Sequence, residues 1–120
     1  MTPKPATLHV DKPWGCFDQF VLNTQCTVKI LTCNPGQQLS LQRHSHRNEF
    51  WVALDTGVVV ELDGKILTPD KGTQVWLPAG SIHRLSCEAA RTSPVRVLEI
   101  SLGTFDEEDI ERLEDVYGRD

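Results

Sequence analysis

The chain has 120 residues with a net charge of -5, and 39% of its residues are hydrophobic. This length predicts a single globular domain, and the acidic balance without a basic tract argues against nucleic acid or an anionic membrane surface as the main partner. No apolar run approaches the roughly 20 residues of a membrane-spanning helix, and the N-terminal stretch lacks the apolar segment of a signal peptide. Four cysteines without a C-x-x-C pair predict free thiols, so we expect a cytoplasmic protein.

The chain begins with residues 1–12, which contain prolines and are predicted to be extended and loosely held. Beyond them, short apolar or alternating runs bounded by turn-forming residues predict β-strands at residues 25–33, 50–55, 58–64, 73–78 and 95–101. Several short strands with turns between them predict an all-β protein, either a sandwich or a small barrel. The sequence LDGKI at residues 62–66 predicts a tight hairpin, because Asp-Gly accepts the positive φ angles of a type I′ turn.

One segment departs from this β pattern, and we predict a short amphipathic α-helix over residues 104–118. Thr104 and Glu107 have the spacing of a capping box, and Gly118 lies where a helix commonly ends. Apolar residues between them recur at helical spacing. Such a helix would cover one open end of the barrel.

The sequence LSLQRHSHRNEFW, residues 39–51, contains candidate metal ligands. On a β-strand His44 and His46 would point to the same face, and Glu49 would join them if the chain turns or bulges after His46. A further histidine, His83, follows a Pro-x-Gly turn. Three imidazole nitrogens and one carboxylate predict a site for Zn²⁺, Mn²⁺, Fe²⁺, Co²⁺ or Ni²⁺, with positions left open for substrate.

These residues resemble the two motifs of the cupin superfamily. The first motif places a glycine before HxH, then a glutamate and a second glycine, and here it matches Gly36, His44, His46, Glu49 and Gly57. The second runs G-x5-P-x-G-x2-H-x3-N and matches Gly72, Pro78, Gly80 and His83, with Cys87 in the place of the asparagine. The resemblance implies a single cupin domain over residues 1–120, a small β-barrel of the jelly-roll, or double-stranded β-helix, type.

Four longer stretches narrow the resemblance: KPWG (12–15), PGQQLSLQRHSHRNEFW (35–51), LPAGSIHRL (77–85) and EEDIERLEDVYGR (107–119). They are similar to the C-terminal cupin domain of type II mannose-6-phosphate isomerases, a domain that usually follows a GDP-mannose pyrophosphorylase domain. The resemblance implies a metal-dependent enzyme that interconverts mannose 6-phosphate and fructose 6-phosphate, and among the metals that suit the ligand set zinc is our first choice. It also implies that Arg112 and Arg119 serve the reaction, whereas their spacing alone favours salt bridges within an acidic helix.

An isomerase of this kind needs three contributions from the protein. A metal must polarise the substrate oxygens, a base must take the carbon-bound proton, and cations must hold the phosphate. The sequence leaves the base open between Glu49, His83 and Glu99.

Alternation on a strand places some side chains on the face of the metal ligands, and the turn after His46 lets others reach inward. The same parity turns Arg43 and Arg84 away from the metal, toward solvent or an interface. The candidates for substrate contacts are Lys29, Ser40, Gln42, Arg47 and Trp51. Lys29 is a candidate only if it points inward, since a lysine in an alternating strand more often lies on the exposed face.

Apolar residues on both faces of strands 52–55 and 58–62 predict pairing between subunits, and so a homodimer. Two other functions fit the same sequence. A metal-dependent cupin of other chemistry, such as a dioxygenase, would need the same ligands but no phosphate-binding cations. A non-catalytic sugar or sugar-nucleotide binding module would have less need for an ion. The arginines and histidines together favour the isomerase, with a sugar phosphate as its small-molecule partner.

Overall fold

The computed structural model describes residues 6–118, and within them the backbone forms eleven β-strands and no helix. The strands are β1 (Leu8–Lys12), β2 (Gly15–Gln19), β3 (Cys26–Cys33), β4 (Leu41–Arg43), β5 (Asn48–Ala53), β6 (Val58–Leu62), β7 (Lys65–Leu67), β8 (Gln74–Leu77), β9 (Ile82–Cys87), β10 (Val95–Leu102) and β11 (Glu111–Glu114). The described residues contain no helix that could span a lipid bilayer. The predicted all-β class is confirmed.

Two antiparallel sheets face each other across the core. The four-stranded sheet has the order β3-β10-β5-β8, and the five-stranded sheet has the order β11-β4-β9-β6-β7. Successive strands mostly alternate between the two sheets, as in a jelly roll. β1 and β2 form a hairpin of their own, and within residues 6–118 no strand pairing joins the two large sheets into a closed barrel.

Alternation points every second side chain of a strand into the space between the sheets, and these inward residues are apolar in one half of the interior and polar in the other. Trp51, Leu85 and Val97 belong to a buried hydrophobic cluster that fills the apolar half. Burial of each large apolar side chain stabilises the fold by about 1.5–3 kcal/mol. Further along β10, Glu99 and Ser101 are also buried, and their end of the interior holds the candidate site.

The outer face of the four-stranded sheet is apolar as well. Phe50, Val52 and Ile100 are buried there against Phe20 and Val21, which precede β3. Apolar residues on both faces of β5 are therefore accounted for within one chain, because the segment before β3 covers the outer face.

The predicted helix over residues 104–118 is wrong. Residues 104–110 are irregular, and Glu111–Glu114 form β11, which pairs with β4. The side chain of Glu107, which was expected at a helix N-terminus, instead forms an ion pair with Lys29. A short isolated helix is only marginally stable in water, whereas the edge of β4 offers backbone hydrogen bonds, so tertiary pairing decides the structure.

The hairpin between β6 and β7 agrees with the prediction. Asp63 and Gly64 have φ angles of 48° and 82°, both positive as a type I′ turn requires. At the N-terminus, residues 1–5 lie outside the described residues, whereas Leu8–Lys12 form β1 and pair with β2.

Candidate metal centre and active site

Three side chains with metal-binding atoms meet in the polar half of the interior. His44, Glu49 and His83 are all buried, and their ligand atoms lie within 4.8 Å of one another. Glu49 Oε1 is 3.4 Å from His44 Nε2 and 3.8 Å from His83 Nε2. Two ligand atoms bound tetrahedrally at about 2.1 Å from an ion stand about 3.4 Å apart, so this spacing suits a first-row metal.

Two strands and the residue that follows a third bring these ligands together. Glu49 is an inward residue of β5, and His83 is an inward residue of β9. Gln42 of β4 pairs directly with His83, and His44 follows two residues later, just beyond the end of β4. The site therefore spans both sheets, with its carboxylate on one and its imidazoles on the other.

Hydrogen bonds fix the orientation of two of the ligands. His44 Nδ1 lies 2.7 Å from the carbonyl oxygen of Asp109. Because a carbonyl only accepts, Nδ1 carries the proton, and Nε2 is the acceptor that lies 3.3 Å from Arg47 Nη2 and 3.4 Å from Glu49 Oε1. Glu49 Oε2 accepts hydrogen bonds of 2.8 Å from Arg47 Nε and from Ser101 Oγ, which leaves Oε1 directed at the histidines.

Three buried polar atoms of this group lack hydrogen-bond partners among the described residues, and two of them, Glu49 Oε1 and His83 Nε2, face each other at 3.8 Å; the third is His83 Nδ1. An unsatisfied buried polar atom costs about 1–3 kcal/mol, and a bound cation would remove that cost for the two facing atoms. Burial lowers the pKa of His83 to about 4, so near neutral pH its imidazole is in the uncharged form that binds metals. The residues present thus fit a divalent ion, and two histidines with one carboxylate suit zinc, iron or manganese.

The structure brings together three of the four predicted ligands and does not bring His46 to this group. Strand β4 ends at Arg43, and His46 is exposed on the turn that follows. The backbone N–H groups of Ser45 and His46 each donate to the Asp109 carboxylate at 2.9 Å. Strand parity fails for His46 because the chain leaves the sheet before reaching it.

A cavity of about 300 Å³ lies beside the ligands, at the lower end of the range for small-molecule sites. The C-terminal segment, residues 103–114, contributes several of the residues that line it. The residues that line the cavity are Lys29, Leu31, Leu39, Gln42, His44, Arg47, Glu99, Phe105, Glu107, Ile110 and Arg112.

Most of the predicted substrate and catalytic residues lie on this cavity, namely Lys29, Gln42, Arg47, Glu99 and Arg112. Ser40 is buried but does not line it. Arg119 lies outside the described residues. Arg43 and Arg84 do not line it either. The side chain of Arg43 hydrogen-bonds to Glu111, and that of Arg84 hydrogen-bonds to the carbonyl of Leu39 and to Glu114.

Trp51 contacts two residues of the site, His83 and Glu99. Its ring packs edge-on against His83, with the ring centres 5.5 Å apart. Its indole Nε1 donates to Glu99 Oε2 at 3.1 Å. Burial, followed by the nearby negative charge of Glu49, raises the pKa of Glu99 to about 7, so this carboxyl group can both take and return a proton near neutral pH.

Two cationic side chains on the cavity wall pack over the ring of Phe105. Lys29 Nζ lies 4.1 Å from its ring centre, and the guanidinium carbon of Arg47 lies 4.2 Å away. Lys29 also pairs with Glu107 at 3.0 Å. Sequence reasoning did not identify Phe105, Ser101 or Asp109. Ser101 could have been found from its shared parity with Glu99 on one strand, but the helical interpretation of residues 104–118 concealed the other two.

The family described as "Mannose-6-phosphate isomerase C-terminal" matches residues 4–115 of the chain. The alginate biosynthesis protein AlgA of Pseudomonas aeruginosa is 38% identical over 112 residues, which are 92% of this chain and 23% of that protein. The mannose-1-phosphate guanylyltransferase of Escherichia coli (strain K12) is 34% identical over 112 residues, again 92% of this chain and 23% of that protein. The chain thus spans about a quarter of the length of these relatives.

Among solved structures, the capsular polysaccharide assembling protein CapF from Staphylococcus aureus superposes with a TM-score of 0.63. The match covers 91% of this chain and 34% of CapF at 20% identity, so it concerns the fold alone. With the two facing antiparallel sheets, it confirms the predicted cupin fold.

Proposed function

The chain belongs to the mannose-6-phosphate isomerase C-terminal family, and on that basis we propose that it is a metal-dependent isomerase that interconverts mannose 6-phosphate and fructose 6-phosphate. One observation carries the proposal. Two imidazole nitrogens and a carboxylate oxygen converge beside a cavity whose walls include Lys29 and Arg112. Cations on the wall are what a phosphorylated substrate requires, whereas a dioxygenase would have no need of them.

The reaction moves a proton between C1 and C2 of the sugar. A divalent ion held by His44, Glu49 and His83 would polarise the substrate oxygens and stabilise the negative charge that develops on them. Zinc is the metal we propose to test first, because three protein ligands with an open position are typical of catalytic zinc sites.

Glu99 is the residue we propose as the base. Glu49 and His83, the other two candidates, both direct their free atoms into the ligand group. Glu99 lies on the cavity wall and is held by the indole N–H of Trp51. Its pKa of about 7 suits a group that accepts a proton from carbon and returns it in the same turnover.

Lys29 and Arg112 are the residues we propose to hold the phosphate. Both lie on the cavity wall. Arg112 is on β11 and pairs in register with Gln42 of β4, which places this cation beside the strand that leads to His44. Arg119, implicated by the family resemblance, remains a prediction.

The first experiment measures metal content and turnover on the same purified samples. We expect about one ion per chain by mass spectrometry, and conversion of mannose 6-phosphate that a chelator abolishes. His44→Ala and His83→Ala should lose the ion and the activity, whereas His46→Ala, which alters an exposed histidine, should retain both. Glu99→Gln should retain the ion and lose turnover.

Other results would contradict specific parts of the proposal. An ion without turnover on either sugar phosphate would favour a cupin of other chemistry. Absence of both would favour a binding module, and loss of the ion in His46→Ala would restore the four-ligand site expected from sequence. The cytoplasmic location expected from the cysteine pattern also remains a prediction, which fractionation of producing cells would test.

A further inference from the structure

Asp109 contacts three consecutive residues of the turn that carries the first metal ligand. Its Oδ1 accepts a hydrogen bond from Ser45 N and its Oδ2 accepts one from His46 N, both at 2.9 Å. Its backbone carbonyl accepts the proton of His44 Nδ1 at 2.7 Å. A residue of the C-terminal segment thus holds both the backbone of the turn and the ring of His44.

The carboxylate is well suited to this role. Although its partial burial opposes ionisation, the two backbone N–H donors, with His46 and Arg47 nearby, lower the pKa of Asp109. Each oxygen of the carboxylate accepts from one of two adjacent backbone N–H groups at 2.9 Å, so the side chain holds the turn at two points. Two such bonds from adjacent N–H groups fix the direction of the turn as well as its position.

The contact with His44 depends on this anchor. The carbonyl that selects the Nδ1-protonated form of His44 belongs to the same residue whose side chain grips the turn. Asp109→Ala keeps the backbone carbonyl but removes both side-chain oxygens that accept from the turn. The two halves of the contact can therefore be separated by mutation.

The same segment also carries groups that line the cavity. Phe105 and Arg112 flank Asp109 in sequence, and Arg47 Nη1 donates to the carbonyl oxygen of Asp106 at 2.9 Å. Displacement of the segment at Asp109 would shift the proposed phosphate-binding wall together with the metal-binding turn.

We propose that Asp109 is a positioning residue, which orients His44 for metal binding and holds the C-terminal segment against the metal-binding turn. This inference rests on the proposed metal site. It goes further in assigning the orientation of one ligand to a residue 65 positions away in sequence. Asp109 itself supplies no atom to the ion in this arrangement.

The test compares Asp109→Ala with Glu108→Ala. Glu108 is exposed in the same segment, so its removal changes the net charge equally without releasing the turn. Zinc affinity would be measured by competition with a chromophoric chelator, and unfolding of the metal-free proteins by thermal denaturation. We expect Asp109→Ala to weaken zinc binding about 10- to 100-fold, as loss of a group that orients a ligand does, and Glu108→Ala to leave it unchanged.

A second readout keeps this inference separate from the proposed function. In the metal-free protein, ¹⁵N NMR of the His44 ring should show the Nδ1-protonated form, and Asp109→Ala should give a mixture with the Nε2-protonated form. If the wild type binds no zinc, the proposed function fails, but the NMR result still decides the role of Asp109. An unchanged ring form and zinc affinity in Asp109→Ala, with only a lower melting temperature, would overturn the inference.

Discussion

At the scale of single residues, Arg47 is committed to the protein rather than to a substrate. Its Nε donates to Glu49 Oε2 at 2.8 Å, its Nη1 donates to the Asp106 carbonyl at 2.9 Å, and its face packs on Phe105. It is also buried. A guanidinium held on several sides can orient Glu49 and offset its charge, but it has little freedom to enclose a phosphate. We therefore expect Arg112 and Lys29, and not Arg47, to bind the phosphate.

Arg112→Ala should leave metal content unchanged and raise the KM for mannose 6-phosphate about 10- to 100-fold, because a charge-assisted hydrogen bond contributes about 1.5–3 kcal/mol. Steady-state kinetics on metal-quantified protein would measure this effect. Arg43→Ala is the matched control, since Arg43 is on the neighbouring strand but bonds to Glu111 outside the cavity. Equal kinetics in both variants would mean that β11 serves only the structure.

Several of the residues at the site could be predicted from their types and from the family resemblance. His44, Glu49 and His83 are such residues, since these side chains bind metals and the motifs align them. The position of His46 outside this group could not be predicted from sequence, because parity assumes a strand that continues, and the strand ends at Arg43. Asp109 could not be found, because its partners are more than 60 positions away and no local pattern encodes such a contact.

At the scale of elements, the β6–β7 hairpin gives a clean test of backbone strain. Gly64 has a φ of 82°, and a Cβ added there would meet nothing within 4 Å. Gly64→Ala should therefore lower the free energy of unfolding by about 1–2 kcal/mol through the backbone alone. Urea denaturation would measure it, with Lys65→Ala as the control at an exposed neighbouring position. Equal stability of the two variants would contradict the type I′ assignment.

The two contrasting segments show which elements a sequence can specify. Asp63 and Gly64 encode their hairpin locally, since both adopt positive φ readily. Residues 104–118 have apolar residues and acids at helical spacing, yet Glu111–Glu114 pair with β4 instead. The strand forms because a sheet edge is available in the folded molecule, which is a property of the whole chain and not of the segment.

At the scale of the whole molecule, the outer face of the four-stranded sheet is only partly covered. Phe20 and Val21 bury its centre, but Val28 and Ile30 on the edge strand β3 remain 53% and 57% exposed. No charged side chain lies among the outward residues of β3, so nothing there selects a partner of opposite charge. A second copy of the chain, related by a two-fold axis, would place this apolar edge against itself.

Our last prediction concerns the homodimer expected from sequence, which we now propose to form through β3. The wild type should have twice the chain mass of 13.5 kDa in light scattering after gel filtration. Ile30→Glu should give the monomer, because each copy would lose about 1.5–3 kcal/mol of apolar burial and would also have to bury a charge. Ile66→Glu is the control, since Ile66 is similarly exposed, at 62%, but lies on β7 of the other sheet. A wild type at the monomer mass would contradict the dimer itself, whereas dissociation by Ile66→Glu alone would move the interface to the five-stranded sheet.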